Sequence, residues 1–234
     1  MPGRSAPVSV LITAEHASPG IPAEWAALFQ GQEATVRSHR GWDPGSLELA
    51  TKLAHAFNAP LLAGKASRLL VDLNRSVGHP QQFSEFTRPL PPESRSRIVE
   101  DFWRPHWEGY RQRIDQAHGG LVHIACHSFS PILEGLPRRA DVGLLYDPSR
   151  PRERAFCRTL GQHLQRAWAG LRVRMNYPYR GTANGLGQQH RRLYSGARLL
   201  TVELEVNSGL RDQPWWTDFL DLLVQGCLVS LDRV

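Results

Sequence analysis

Residues 121–131 read LVHIACHSFSP, an apolar run of strand length that ends on His127 and a polar stop of Ser128, Ser130 and Pro131. A run with so little polar alternation predicts a strand buried on both faces, as strands are in sheets covered by helices. Runs rich in Val, Ile and Leu also occur at 8–14, 69–73, 142–146 and 199–206, with a weaker one at 171–175. Between them lie helix-like stretches at 45–57, 93–117, 151–169 and 214–232. Strands that alternate with helices in this way predict an α/β layer fold with helices on both faces of the sheet.

The 234 residues are enough for one sizeable α/β domain and nothing demands a second, so 1–234 reads as a single domain. Hydrophobic residues make up 41% of the chain, with no low-complexity tract and no internal repeat, as in an ordinary globular protein. No apolar run approaches the ~20 residues of a membrane span. The segment VSVLITA at 8–14 is too short, and too soon followed by charge, to be a signal-peptide core. Both points predict a cytoplasmic protein with no membrane partner. Cys126, Cys157 and Cys227 lie far apart, are odd in number and lack CxxC spacing, which argues against a disulfide framework and against thiolate zinc ligation. A net charge of +6 raises nucleic acid as a partner. The arginines are scattered, however, and no basic cluster interleaves with stacking aromatics, so nucleic acid is not expected.

Ligand sites in open α/β sheets gather at the carboxyl ends of strands. There the chain offers His16 in EHASPGIP, Arg75 in VDLNRS, His127 in HSFSP, and two carboxylates, Glu203 and Glu205, in TVELEVNS. Side chains alternate along a strand, so Glu203 and Glu205 share a face. Burying unpaired charge in an apolar strand costs several kcal/mol, and the pair therefore asks for a chemical reason. One of them suits a general base; the bland reading is an edge-strand carboxylate paired with an arginine.

His16, Asp43 and His127 have the composition of a catalytic zinc site, two imidazoles and a carboxylate with a fourth position open. Taken alone, Asp43 in SHRGWDPG also fits the N-cap of the 45–57 helix, and either histidine fits a loop residue bonded to backbone. Arg75 suits bidentate capture of a substrate carboxylate, with an ion pair to Asp72 as the alternative. The stretch MNYPYRGTANG at 175–185 reads as a substrate loop carrying Arg180, or as a surface turn. Trp215 and Trp216 read as the start of the last helix, packed in the core or in a subunit contact.

Taken in order, EHAS, GWDPG, SRLLVDLNRS, HSFSP, NYPYRG and VELEVNS resemble the N-formylglutamate amidohydrolase family over most of the chain. The resemblance implies a three-layer α/β/α fold with a central mixed sheet, like that of zinc carboxypeptidases and phosphorylase-like hydrolases. It implies one divalent metal, Zn²⁺, on His16, Asp43 and His127, and a base at Glu205 with Glu203 as the weaker candidate. Substrate binding falls on Asn74, Arg75 and Arg180, with His190 in a stretch, 182–190, that departs from the family pattern. The implied activity is hydrolysis of an N-acyl amino acid, N-formyl-L-glutamate or a related acidic one, in cytoplasmic amino-acid degradation, with homo-oligomerisation open. Two other readings keep the fold: a zinc amidase of peptidoglycan type, disfavoured by the lack of an export signal, and a binding protein without turnover.

Overall fold

The run at 121–129 is a strand near the middle of a six-stranded sheet, buried along its whole length. The structure is a computed structural model and describes residues 8–234; residues 1–7 of the expected single domain lie outside it. In chain order the elements are β1 (Ser9–Ala14), a 3-10 segment (Ala23–Phe29), α1 (Glu33–Arg37), α2 (Ser46–Ala56), β2 (Leu61–Ala63) and α3 (Pro92–Ile98). A π turn (Val99–Trp103) leads into α4 (Arg104–Gln116), then β3 (Leu121–Phe129), the hairpin β4 (Ile132–Leu133) and β5 (Leu136–Pro137), and β6 (Val142–Leu145). The chain continues with α5 (Pro151–Ala167), β7 (Val173–Met175), α6 (Leu186–Arg191), β8 (Leu199–Asn207), a 3-10 turn (Ser208–Leu210) and α7 (Trp216–Leu231).

The strand order is β2-β1-β3-β8-β6-β7. All neighbours run parallel except β6 and β8, so the sheet is mixed. Alternation along each strand makes two cores. Ile12, Ile124, Val202 and Leu204 pack with Leu53 of α2, Phe156 and Leu160 of α5, and Phe219 and Leu223 of α7. Leu11, Leu121 and Leu199 pack on the other side with Ile98 of α3 and Trp107, Tyr110 and Ile114 of α4. The architecture is the three-layer α/β/α sandwich. No helix among the described residues is long and apolar enough to cross a membrane.

One expected strand is absent. Residues 69–73 form a buried turn, not an extended segment. Leu70 N–H donates to Ser67 O (2.9 Å), Asp72 N–H to Gln82 O (2.8 Å) and Arg75 N–H to Asp72 O (3.2 Å), turn and loop bonds that take the place of a ladder. Leu69, Leu70, Val71 and Leu73 are buried in the second core, and an apolar run reads alike in a buried strand and in a buried turn. The place of that strand is taken by β2, whose three residues pair with the end of β1. The helix expected over 93–117 is interrupted by the π turn just before Pro105. Proline has no N–H and crowds the carbonyl four residues back, and the wider turn accommodates it.

Candidate metal centre and active-site cleft

His16 lies two residues past β1, and His127 lies inside β3 opposite Glu205 of β8. Asp43 reaches them from the loop before α2. Its backbone N–H donates to His16 O (2.9 Å), and Gly45, at φ +89°, starts the helix in a conformation that favours glycine. The cap of α2 is therefore not the Asp43 side chain. That carboxylate turns inward: Oδ2 lies 3.3 Å from His16 Nδ1 and 3.0 Å from His127 Nδ1. One ligand atom from each of the three residues falls within 4.8 Å of the others, and all three residues are buried.

The field at this point favours a cation. Burial disfavours the charged carboxyls, but Arg68 and His16 hold Asp43 well below the usual carboxylate range, and His16 and Arg68 do the same for Asp72. Burial also opposes charge on His127, yet Asp43 and Glu15 raise it well above an ordinary histidine. Buried carboxylates that recruit a proton here would equally hold a divalent ion. Two imidazoles and one carboxylate suit borderline-soft Zn²⁺.

Above these residues opens a cleft of about 440 Å³, lined among others by Asn74, Arg75, Arg180, Asn184, Glu203 and Glu205. Because β8 is a central strand, its carboxylates are not edge groups. Glu205 is buried and its Oε2 has no hydrogen-bond partner among the described residues. Burial, with Asp43 and Glu203 adding to it against His127, pushes this carboxyl up to about 8. Glu203 is raised as well, chiefly by burial. Gly143 faces Glu205 across the antiparallel ladder, and a Cβ there would sit 1.7 Å from Tyr177 O. The bare backbone thus lets the 176–185 loop close over the strand.

Arg75 is held from outside and below. Trp103 of the π turn and Trp107 of α4, stacked on each other, donate their indole N–H groups to Arg75 O and Leu73 O, both at 2.8 Å. The Arg75 Nη1 donates to Asn74 O (2.8 Å) and Asn184 O (2.9 Å), while its Nε is buried without a partner. The ion pair with Asp72 is not what forms, since Asp72 faces His16 Nε2 at 2.7 Å. What remains unpaired on Arg75 is the Nε/Nη2 edge, the side that grips a carboxylate through two parallel hydrogen bonds.

The sequence and the fold find counterparts among known proteins. The sequence profile of the N-formylglutamate amidohydrolase family matches residues 8–210. The chain belongs to that family. As a member of the N-formylglutamate amidohydrolase family it is a hydrolase of the amidohydrolase type. Two solved structures share its fold. The gene product Atu2144 from Agrobacterium tumefaciens has a TM-score of 0.79 at 24% identity, with 97% of this chain and 91% of that chain covered. The N-formylglutamate amidohydrolase from Ralstonia eutropha JMP134 has a TM-score of 0.68 at 16% identity, covering 96% and 94%. No curated protein sequence matches the chain.

Of the residues that the family resemblance selects, His16, Asp43, Asn74, Arg75, His127, Arg180, Glu203 and Glu205 meet at this cleft. His190 does not. It sits on α6 with Nδ1 on Leu186 O (2.8 Å) and its ring against Trp107 and Tyr110. Its short helix turns it into the second core, so it is a packing residue in the free protein. Sequence reading missed Arg68, whose Nη1 lies 3.1 Å from Asp43 Oδ1 at the cleft wall. Its spacing of four from Asp72 was the available signal, but only the turn at 67–72 brings both to the histidines.

Proposed function

We propose that the chain hydrolyses the linear amide of an N-acyl amino acid, N-formyl-L-glutamate or a related N-acylated acidic amino acid, with one divalent metal, zinc by preference. His16, Asp43 and His127 would hold the metal. The observation that carries this reading is their convergence on the floor of a cleft that is also lined by an unpartnered Glu205 and by Arg75 with an unpaired guanidinium edge. When bound, the metal supplies Lewis acidity toward an amide carbonyl and toward water.

The rest of the chemistry falls to the chain. Water adds to the carbonyl carbon, the C–N bond breaks, and the departing nitrogen must gain a proton. Glu205 takes the proton from the water and returns it to the nitrogen, a double task that suits a carboxyl whose affinity for protons has been raised toward neutral pH. Arg75 clamps one substrate carboxylate through its Nε/Nη2 edge, and the exposed Arg180 at the rim meets a second. Arg68 stays on Asp43 and keeps it ionised. The cleft volume suits a small molecule rather than a polymer strand.

Metal analysis of the purified protein, paired with turnover of a panel of N-acyl amino acids on the same sample, tests the reading. About one zinc per chain and a preference for acidic amino acids are the expected results. A protein that binds no divalent metal, or hydrolyses no member of the panel when loaded, contradicts it.

A further inference from the structure

The two metal-site histidines are wired alike, save that His16 Nε2 also meets Arg68 Nη2 at 3.0 Å. Each turns Nδ1 to the same Asp43 oxygen, at 3.3 and 3.0 Å, and each turns Nε2 to a buried carboxylate: Asp72 at 2.7 Å for His16, Glu15 at 3.0 Å for His127. A neutral imidazole carries one proton, so a histidine that ligates through Nδ1 must be protonated on Nε2 and needs an acceptor there. For His127 the choice of acceptors is short. Among the described residues the one other hydrogen-bonding group at Nε2 is the Asn74 side-chain nitrogen at 3.5 Å, a donor, because Asn74 Oδ1 already accepts from Leu186 N–H (2.8 Å). Glu15 is left as the acceptor.

Glu15 is 1% exposed, one residue past β1, and among the described residues no backbone N–H, hydroxyl, amide or arginine donates to either of its oxygens. A carboxylate in that state is costly unless charge faces it. What faces it is His127 at Oε2 and His106 of α4, also buried, whose Nε2 lies 3.6 Å from Oε1. His106 in turn has no hydrogen-bond partner for Nε2. Glu15 Oε1 and His106 Nε2 thus lie against each other, while Oε2 faces His127.

We propose that Glu15 is a positioning residue for the metal centre: it receives the Nε2–H of His127, fixes the tautomer that presents Nδ1 to the metal, and is itself held by His106. The proposal rests on the metal reading above. It differs from a plain buried ion pair in what it does to metal binding. Removing a carboxylate behind a ligating histidine typically costs ten- to a hundredfold in metal affinity.

The test compares zinc affinity, by chelator competition, in wild type, Glu15→Gln and Glu15→Asp, with circular dichroism to confirm folding. Glu15→Gln is expected to bind zinc on the order of ten- to a hundredfold more weakly, and Glu15→Asp, which keeps the charge, to lose less. Imidazole ¹⁵N NMR of the zinc-loaded wild type, with the His127 signal assigned by its loss in His127→Asn, should show the proton on Nε2. This second measurement needs no Glu15 variant to fold. Wild-type zinc affinity in Glu15→Gln, or a His127 proton on Nδ1, overturns the proposal and leaves the metal reading standing. Wild type that binds no zinc overturns the metal reading and this proposal together.

Discussion

Toward α2, α5 and α7 the central strands present Ile12 and Ala14, then Val122, Ile124 and Cys126, then Leu200, Val202, Leu204 and Val206, all buried and apolar. Toward α3 and α4 the same strands present Leu11, Thr13 and Glu15, then Leu121, His123, Ala125 and His127, then Leu199, Thr201, Glu203 and Glu205. The second face is graded. Leucines stand at the amino ends, neutral polar groups in the middle and charges at the carboxyl ends, aligned by the register His123↔Thr201 and His127↔Glu205. One face gains from being dry throughout. The other changes from core to site within about four residues, and each buried polar group there must find a partner or be left for a ligand. The middle groups are satisfied internally, whereas Glu205 at the end is not.

If the faces divide labour in this way, damage to each should register differently. Leu204→Ala on the dry face removes a fully buried side chain. It should cost about 3 kcal/mol of stability, a fall in Tm on the order of 10 °C for a chain of this size. Zinc affinity and kcat of the protein that remains folded should hold. Calorimetry with a zinc titration at a temperature below both transitions checks this; a fall in affinity with Tm unchanged would erase the division. Glu205→Gln, one residue along and on the opposite face, should do the reverse. Folding and metal content persist and kcat falls at least ~100-fold, the lower range for lost acid–base catalysis. Glu203→Gln should do much less. Loss of turnover in Glu203→Gln with Glu205→Gln near normal would move the base one pleat along the strand.

A third comparison stays on the polar side but leaves the sheet. Arg75 owes its place to the 67–75 turn and to two tryptophans of the α4 side, not to strand parity. Arg75→Lys should lower kcat/KM for an acidic substrate by on the order of ten- to a hundredfold, the worth of a charged hydrogen bond that lysine does not reproduce. Equal losses on a substrate whose carboxylate is amidated would give Arg75 a structural role instead.

The contrast also separates what could be read in the sequence from what could not. Parity in TVELEVNS put both glutamates on one face, and the ends of strands located His16 and His127, because a period of two survives in the bare sequence. Residues 69–73 were misread for the same reason that β2 went unread. An apolar run without alternation carries no period, and the three residues of β2, between Pro60 and Gly64, are too few to show one. Arg68 and Glu15 meet partners far away in sequence, Asp43 and His127, which no local pattern marks; the spacing of Arg68 from Asp72 alone does not point to Asp43. His190 fails on direction: a one-and-a-half-turn helix that the sequence does not announce turns its ring inward.

The middle of the polar face offers the mildest test, because there the groups are paired and no ligand is waiting. His123 is fully buried, with Nε2 on Thr13 Oγ1 (2.8 Å) and Nδ1 within reach of Thr201 Oγ1 (2.7 Å) and Tyr110 OH (3.0 Å). Burial pushes its pKa down to about 3, against an upward pull from Glu15. An unfolded histidine titrates near ~6.5. Between those values the unfolded chain binds a proton that the folded chain refuses, so stability rises with pH. This contribution is complete above the unfolded pKa and is lost as pH falls from about 6.5 toward about 3. By pH ~5 the loss should reach about 2 kcal/mol. His123→Gln cannot take up that proton in either state. Its Tm should start below wild type at pH 7, where the hydrogen bonds are missed, and fall less between pH 7 and 5, so that the two curves converge. Other titrating groups are shared by both proteins and cancel in the difference. Parallel curves would mean that His123 is charged within the core, and the neutral middle of the gradient would go with it.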